Sequence, residues 1–289
     1  MTKDELENLI KARFTLLTPK LKAAARYVLD SPKEVALLSM RAVASNAELQ
    51  PASMLRLARE LGFDSYEDFR AIYMEWVSNH DSTFVKRAAE LRRRSAHEGR
   101  SKLLSEVFNT EMVNLDQTLG DQNAAAFNTA RQALGRARNI YILGLRSLFP
   151  AAYYLHYVCC MFCGNTTLLA GTGGTLADEL RRIDAEDVLI AFSFSPYAVT
   201  SVNACDFARE RGAKIIAITD SAVSPIAVGA SVTLLAPNTS PSLIPSILPA
   251  MAVAQTLASL MVTDGGEERL AEISNSETQL RRFSVYIEN

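Results

Sequence analysis

Apolar residues recur at three- and four-residue intervals through the first eighty positions: Leu6, Leu9, Ile10 and Phe14, then Leu21, Ala24, Ala25, Val28 and Leu29. That spacing puts them on one face of successive helices, and no stretch there alternates as a half-buried strand would. Leu17-Thr18-Pro19 offers a Thr N-cap with Pro at the first helical position, and Asp30-Ser31-Pro32 repeats the signal. The segment reads as a bundle of short helices. Helical spacing returns from Lys102 to Ala137, through Leu103, Val107, Met112, Leu115 and Leu119. The pattern then changes to short apolar runs separated by helix-length segments: Asn139 to Gly144, Thr166 to Ala170, Val188 to Phe192, Lys214 to Ile218 and Val232 to Leu235. Strands buried on both faces and alternating with helices predict a doubly wound parallel α/β sheet of five strands in flavodoxin-like order. The predicted architecture is an all-α helix-turn-helix domain over residues 1–80, a helical connection over 81–101 broken at Gly99, an α/β domain over 102–265 and a C-terminal tail over 266–289.

Composition alters this picture in one respect. The chain has 289 residues with a formal net charge of −2, 48% apolar and 21% charged, which fits a folded globular protein and excludes a disordered or fibrous one. The balance is uneven, because residues 1–100 carry 17 basic and 14 acidic side chains and the remainder 13 and 18. A polyanionic partner would meet the first hundred residues. The opening MTKDELENLI is polar and acidic rather than basic and then apolar, so a cytoplasmic setting with reduced thiols is expected. The apolar stretch from Ser242 to Val262 contains Pro245, Pro249, Gln255, Thr256 and Ser259, and is expected as a buried or subunit-interface helix with no membrane role.

Ser39 to Leu61 fits a helix-turn-helix, with Val43, Ala44, Ala47, Leu49, Met54 and Leu57 as its internal contacts. The second helix starts at Pro51 and ends before Gly62. Its expected outer face carries Gln50, Ala52, Ser53, Arg56 and Arg59. Arg can donate two hydrogen bonds to guanine, Gln can pair with adenine, and Ser can hold phosphate in a major groove. A solvated helical hairpin inside a larger core would show the same spacing. Glu48 occupies the turn position where glycine is usual; a non-glycine residue at positive φ is strained, and a carboxylate repels phosphate.

In a doubly wound sheet, ligands bind beyond the carboxyl ends of the strands. After the first strand come Gly144, Arg146 and Ser147; after the third come Ser193, Ser195, Tyr197 and Thr200. Both loops lead into helices, so N–H groups, a helix dipole and several hydroxyls converge, with Arg146 as a cation beside them. That chemistry suits a phosphate monoester; the alternative is that Ser147, Ser195 and Thr200 merely cap helices. Gly171-Thr-Gly-Gly174 lacks dinucleotide-fingerprint or P-loop spacing and reads as a turn with Thr172 or Thr175 as a cap.

Together the two halves resemble the RpiR/MurR-type bacterial transcriptional regulators, which join a helix-turn-helix domain to a sugar isomerase (SIS) domain. The resemblance rests on Leu17-Thr-Pro, Val28 to Pro32 and Leu49 to Phe63 with Tyr66, Phe69 and Arg70. It continues through Ile140 to Gly144 with Ser147, the Ser193/Ser195/Thr200 loop, and Arg211 to Ser221 with Ser224-Pro225. It implies a cytoplasmic regulator of carbohydrate metabolism, dimeric or tetrameric, that binds operator DNA and senses a phosphorylated sugar, with Ser147, Ser193, Ser195 and Thr200 matching the phosphate-binding hydroxyls. Pro196 departs from the glycine usual in such a loop, and proline removes an N–H.

No cofactor, metal or catalytic residue is assigned. Cys159, Cys160 and Cys163 with His156 have one-face helical spacing, but their aromatic and aliphatic neighbours read as ordinary core. Lys86 to Arg94 is a basic run that could touch DNA backbone or simply face solvent. The rival function is a sugar-phosphate aldose/ketose isomerase with a helical appendage, for which only His156, Asp178 or Glu179 could act as base. A third reading is a sugar-phosphate-binding adaptor for a protein partner.

Overall fold

The computed structural model describes residues 3–80, 84–98 and 100–287. The chain divides into two compact units at Lys86 and Arg87. Asp81 and Gly99, where the connection was expected to begin and to break, lie outside the described residues. Most of the expected connection is helical.

The first unit contains α1 (Lys3–Arg13), α2 (Pro19–Asp30), α3 (Pro32–Leu37), α4 (Met40–Asn46), α5 (Pro51–Glu60) and α6 (Tyr66–His80). Each of α2, α3 and α5 begins at the proline that the sequence marks, where a missing N–H costs nothing. Thr18 and Ser31 occupy N-cap positions but make no cap hydrogen bond. Ser39 does cap α4, accepting from the Ala42 N–H at 3.3 Å. One core unites the unit: Leu6 and Ile10 of α1, Ala25 and Val28 of α2, Val43 of α4, Met54 and Leu57 of α5, and Phe69 and Tyr73 of α6. The α4–α5 turn closes with Glu48 N–H on the Ser45 carbonyl at 3.0 Å and Leu49 N–H on the Ala44 carbonyl at 2.8 Å. This is the double hydrogen bond that terminates a helix through a left-handed residue, here Glu48 at φ +54°. Gly62 makes the same closure after α5 at φ +98°.

Helix α7 (Phe84–Glu98) crosses the boundary, and the second unit continues with α8 (Arg100–Leu119), α9 (Asp121–Gly135), β1 (Ile140–Gly144), α10 (Phe149–Cys159), β2 (Thr166–Leu168), α11 (Leu176–Glu179), β3 (Val188–Phe192), α12 (Val199–Glu210), β4 (Lys214–Thr219), β5 (Val232–Leu235), α13 (Leu248–Asp264) and α14 (Gly266–Arg282). All strand pairs are parallel, in the order β2-β1-β3-β4-β5, which is the predicted doubly wound topology. Alternate residues serve opposite faces. Ile140, Ile142, Ile190, Phe192 and Ile216 pack with α9, α10 and α13, whereas Tyr141, Leu143, Leu189, Ala191 and Ile215 pack with α12 and the segment after α11. Both faces are covered, so the strands read as continuous apolar runs.

Polar side chains secure the margins. Asp187, buried before β3, accepts from Arg138 Nε and Nη2 at 3.1 and 2.8 Å, from the Asn139 N–H at 3.2 Å and from the Asp184 N–H at 3.0 Å. This knot pins the amino ends of β1 and β3. Asn123 of α9 pairs with the backbone of edge strand β5, donating to the Leu235 carbonyl at 2.7 Å and accepting its N–H at 3.3 Å.

The Ser242–Val262 stretch, expected as a buried or subunit-interface helix, contains α13, whose Val253, Ala254, Leu257 and Met261 lie in the core of its own unit, as the buried alternative requires. Exposed apolar side chains include Leu104, Phe108 and Met112 on α8, and those of α10, where Tyr153 stacks between Phe149 and Tyr157 at 6.0 and 6.4 Å. The segment assigned to a tail forms α14, anchored by Arg269 Nη1 donating to the Phe162 carbonyl at 2.7 Å and by the Ser276 hydroxyl donating to the Met161 carbonyl at 2.8 Å.

Two substitutions test these backbone arguments. Glu48→Gly should relieve the left-handed strain and stabilise the helical unit by about 1 kcal/mol, raising its melting temperature by about 4–8 °C; an unchanged or lower value would contradict the strain. Gly144 lies where a Cβ would come within 2.6 Å of the Leu148 carbonyl oxygen and 2.8 Å of the Ala152 Cβ. Gly144→Ala should therefore cost about 1–3 kcal/mol of stability in denaturant unfolding of the full chain, and a neutral result would show that α10 has room to retreat.

Candidate functional site

The first candidate surface is α5. Its packed side carries Met54, Leu57 and Ala58, which are in the core. Gln50, Ala52, Arg56 and Arg59 are exposed, as the helical spacing requires. Ser53 corrects the sequence expectation: it is only 8% exposed, on the packed edge of the helix, and its N–H is used by the Gln50 carbonyl at 2.8 Å. The short apolar period around it, Met54 and Leu57, carries that position inward. Among the described residues Arg56 and Arg59 make no ion pair. Arg13 Nη1 donates to the Glu60 carbonyl at 2.6 Å, placing a cation at the C-terminus of α5 where the helix dipole favours it. Glu48 keeps the left-handed turn that glycine usually provides, and its side chain remains exposed.

The second surface is the carboxyl edge of the sheet. Gly144 pairs in register with Phe192, so the loops after β1 and β3 start side by side at the point where strand order reverses. That is the position at which open α/β sheets take ligands. Gly144 itself is buried and serves the close approach of α10 rather than contact with a ligand. Arg146 and Ser147 follow in a 3-10 turn and are exposed, Arg146 at φ +56°. Ser193 is buried at 3% exposure and extends the ladder through its N–H to the Ile218 carbonyl at 3.1 Å. Ser195 and Tyr197 are half-buried, and Thr200 is exposed in the first turn of α12.

The capping alternative can be judged directly. The N-cap positions of α10 and α12 are Leu148 and Ala198, and neither helix has a side-chain cap. Among the described residues the hydroxyls of Ser147, Ser193, Ser195 and Thr200 make no hydrogen bond to protein. Four hydroxyls at one sheet edge thus have no protein partner among the described residues, and Arg146 of the same edge makes no ion pair among them.

Two residues at this edge, Thr219 and Asp220, enter the sequence reading only within the Arg211–Ser221 stretch and not as site residues. The Asp220 carboxylate accepts the Ser195 N–H at 3.3 and 3.4 Å and the Thr219 hydroxyl at 3.3 Å. The signal that finds them is the carboxyl-edge rule applied to β4, which lies next to β3.

The remaining chemical groups lie elsewhere. His156 Nδ1 is 3.2 Å from the hydroxyl of Thr166, the first residue of β2, so it stands at the opposite, amino edge of the sheet; burial lowers its pKa. Glu179 accepts the Gly171 N–H at 3.1 Å and the Thr175 hydroxyl at 2.8 Å, which closes the Gly171–Gly174 turn. Asp178 pairs with Arg181. Cys159 and Cys163 are buried, whereas Cys160 is exposed with its Sγ 3.5 Å from His156 Nε2. The Cys159 hydrogen bond and then the Arg269 guanidinium lower the Cys163 thiol pKa, against the effect of burial. Among the described residues no three His, Cys, Asp or Glu side chains are grouped to hold a metal, and no helix is long and apolar enough to cross a membrane.

Comparison with known proteins places this geometry. The profile of the helix-turn-helix domain of the rpiR family matches residues 4–79, and that of the SIS domain matches residues 133–262. An uncharacterized HTH-type transcriptional regulator of Clostridium perfringens is 24% identical over 221 residues, covering 76% of this chain and 77% of its own. The sugar isomerase domain of an RpiR transcription factor from Sphaerobacter thermophilus superposes with a TM-score of 0.58 at 29% identity, over 61% of this chain and 99% of that one. The Vibrio vulnificus NanR protein, solved in complex with ManNAc-6P, superposes with a TM-score of 0.52 at 17% identity, over 97% of this chain and all of that one. With a helix-turn-helix of the rpiR family followed by a SIS domain built on a five-stranded parallel sheet, the chain belongs to the RpiR-type family of transcriptional regulators.

Proposed function

We propose that the protein is a ligand-responsive DNA-binding regulator of carbohydrate metabolism that binds operator DNA through α5 and a phosphorylated sugar at the carboxyl edge of β1 and β3. The observation that carries the ligand half is the group of uncapped hydroxyls at Ser147, Ser193, Ser195 and Thr200 where the strand order reverses. The presence of ManNAc-6P in the NanR structure supports a phosphorylated sugar as the class of effector. On the DNA side, Arg56 is the base contact, with Gln50 and Arg59 at bases or phosphates and Ala52 against the groove. Buried Ser53 no longer serves as a contact; its role is packing.

Two copies would read a palindromic operator, because half-site spacing mirrors the symmetry of a dimer. We assign pairing to the exposed apolar residues of α8 and α10, since exposed apolar patches mark association faces. An effector that binds one arrangement of the dimer better than another changes operator affinity by its differential binding energy. A coupling of about 1–3 kcal/mol corresponds to about 5–150-fold.

The reading carries no catalysis. Isomerisation needs a base that reaches the proton moved between adjacent carbons. His156 stands at the wrong edge, Glu179 is held by Gly171 and Thr175, and Asp178 is paired with Arg181. A protein-directed adaptor would share the sugar site but show no preference for operator DNA, and an electrophoretic mobility shift with the upstream region separates the two.

Two outcomes are expected. Arg56→Ala should weaken binding to the protein's own promoter DNA by about 5–150-fold at fixed salt while changing affinity for random DNA far less; an equal loss on both would remove Arg56 from base recognition. Ser195→Ala should weaken a phosphorylated sugar identified by calorimetry by about tenfold or more, the worth of a hydrogen bond to a charged group. Undiminished affinity would move the anion away from this loop.

A further inference from the structure

Asp220 is the first residue after β4, the neighbour of β3 at the same edge. Its carboxylate draws on a backbone N–H from Ser195 and a hydroxyl from fully buried Thr219. The Asp220 charge also reaches the Tyr197 phenol, whose proton is held above the ordinary phenol range by burial first and by that charge second. A backbone N–H and a hydroxyl turned to one carboxylate are donors of the kind that an anionic ligand would use. The N–H belongs to the loop that carries Ser193, Ser195 and Thr200. Pro196, next in that loop, supplies no N–H. The Ser195 N–H is therefore taken, and the next position has none to offer.

We propose that Asp220 is an internal anion that holds the phosphate loop in its ligand-free arrangement and competes with a ligand's phosphate for the same donors. This inference rests on the reading of the edge as an anion site and adds a residue that sets its affinity threshold. A phosphate taken up by the hydroxyls, the N–H groups near the start of α12 and Arg146 must displace the carboxylate from Ser195. That displacement sets two negative charges close together, which opposes binding of anions but not of neutral sugars.

Asp220→Asn isolates this effect, because the amide oxygen can still accept from Ser195 while the charge is gone. Calorimetry on the full-length protein at one pH and ionic strength compares wild type, Asp220→Asn and Ser195→Ala, using inorganic phosphate, a panel of hexose 6-phosphates and the matching unphosphorylated hexoses. Asp220→Asn is expected to bind phosphorylated probes at least about tenfold more tightly than wild type, with no change toward neutral hexoses. Unchanged or weaker binding by a folded Asp220→Asn, alongside wild-type binding that Ser195→Ala abolishes, would overturn the internal anion and leave the anion site standing. If neither wild type nor Asp220→Asn binds any phosphorylated probe, the site reading fails and takes this inference with it. Should the variant not fold, the wild-type Ser195 amide resonance provides the test: phosphate binding must shift it as the carboxylate lets go, and a fixed resonance in a phosphate-bound protein overturns the proposal.

Discussion

The parallel pairing of β1 with β3 is the constraint on which the α/β unit depends. Five residue pairs in register, Ile140 with Val188 through Gly144 with Phe192, join two strands that are buried throughout. At their amino ends the Asp187 knot ties both to Arg138 and Asn139. A buried carboxylate is costly unless it is paired and hydrogen-bonded, and here it is both. At their carboxyl ends Gly144 admits α10 against the strand, where a side chain would collide with backbone. With one end tied and the other closely packed, the two loops that follow have a defined starting separation.

Strain marks both candidate surfaces. Glu48 in the turn before α5 and Arg146 in the turn after β1 each have positive φ without being glycine. Such residues cost on the order of 1–3 kcal/mol and persist where the surrounding structure over-determines them. At Glu48 the two turn hydrogen bonds supply that determination. At Arg146 it comes from the short path between a buried strand and a helix that starts at Phe149. The strained arginine is also the cation nearest in sequence to the uncapped Ser147, so its backbone conformation bears on where that charge stands.

Much of the architecture could be read from residue patterns because it depends on local rules. Pro19, Pro32 and Pro51 each start a helix, Gly62 ends one, and runs such as Val188 to Phe192 announce strands covered on both faces. The uncapped hydroxyls also follow from position, since they stand just after strands. What escaped depends on partners distant in sequence. Ser53 has the composition of an outer-face residue, but the packing of α5 against the rest of the bundle carries it inward. Asp220 acquires its role only because β4 lies beside β3, which brings it to Ser195. Asn123 mimics a strand partner across more than a hundred residues of chain, and no local pattern encodes that. The helical spacing of Leu103, Val107, Met112, Leu115 and Leu119 predicts one packed face for α8, and the fold leaves Met112 exposed together with Leu104 and Phe108 outside that spacing.

The proposed regulator links two binding events through one equilibrium, and that link imposes reciprocity: if the effector changes operator affinity by some factor, operator DNA must change effector affinity by the same factor. The most direct measurement is calorimetric titration of a phosphorylated sugar into the full-length protein, free and saturated with its own promoter DNA, paired with anisotropy titration of that DNA with and without the sugar. The account predicts two matching ratios, both different from one by about 5–150-fold. Sugar affinity indifferent to bound DNA, together with DNA affinity indifferent to sugar, would contradict it.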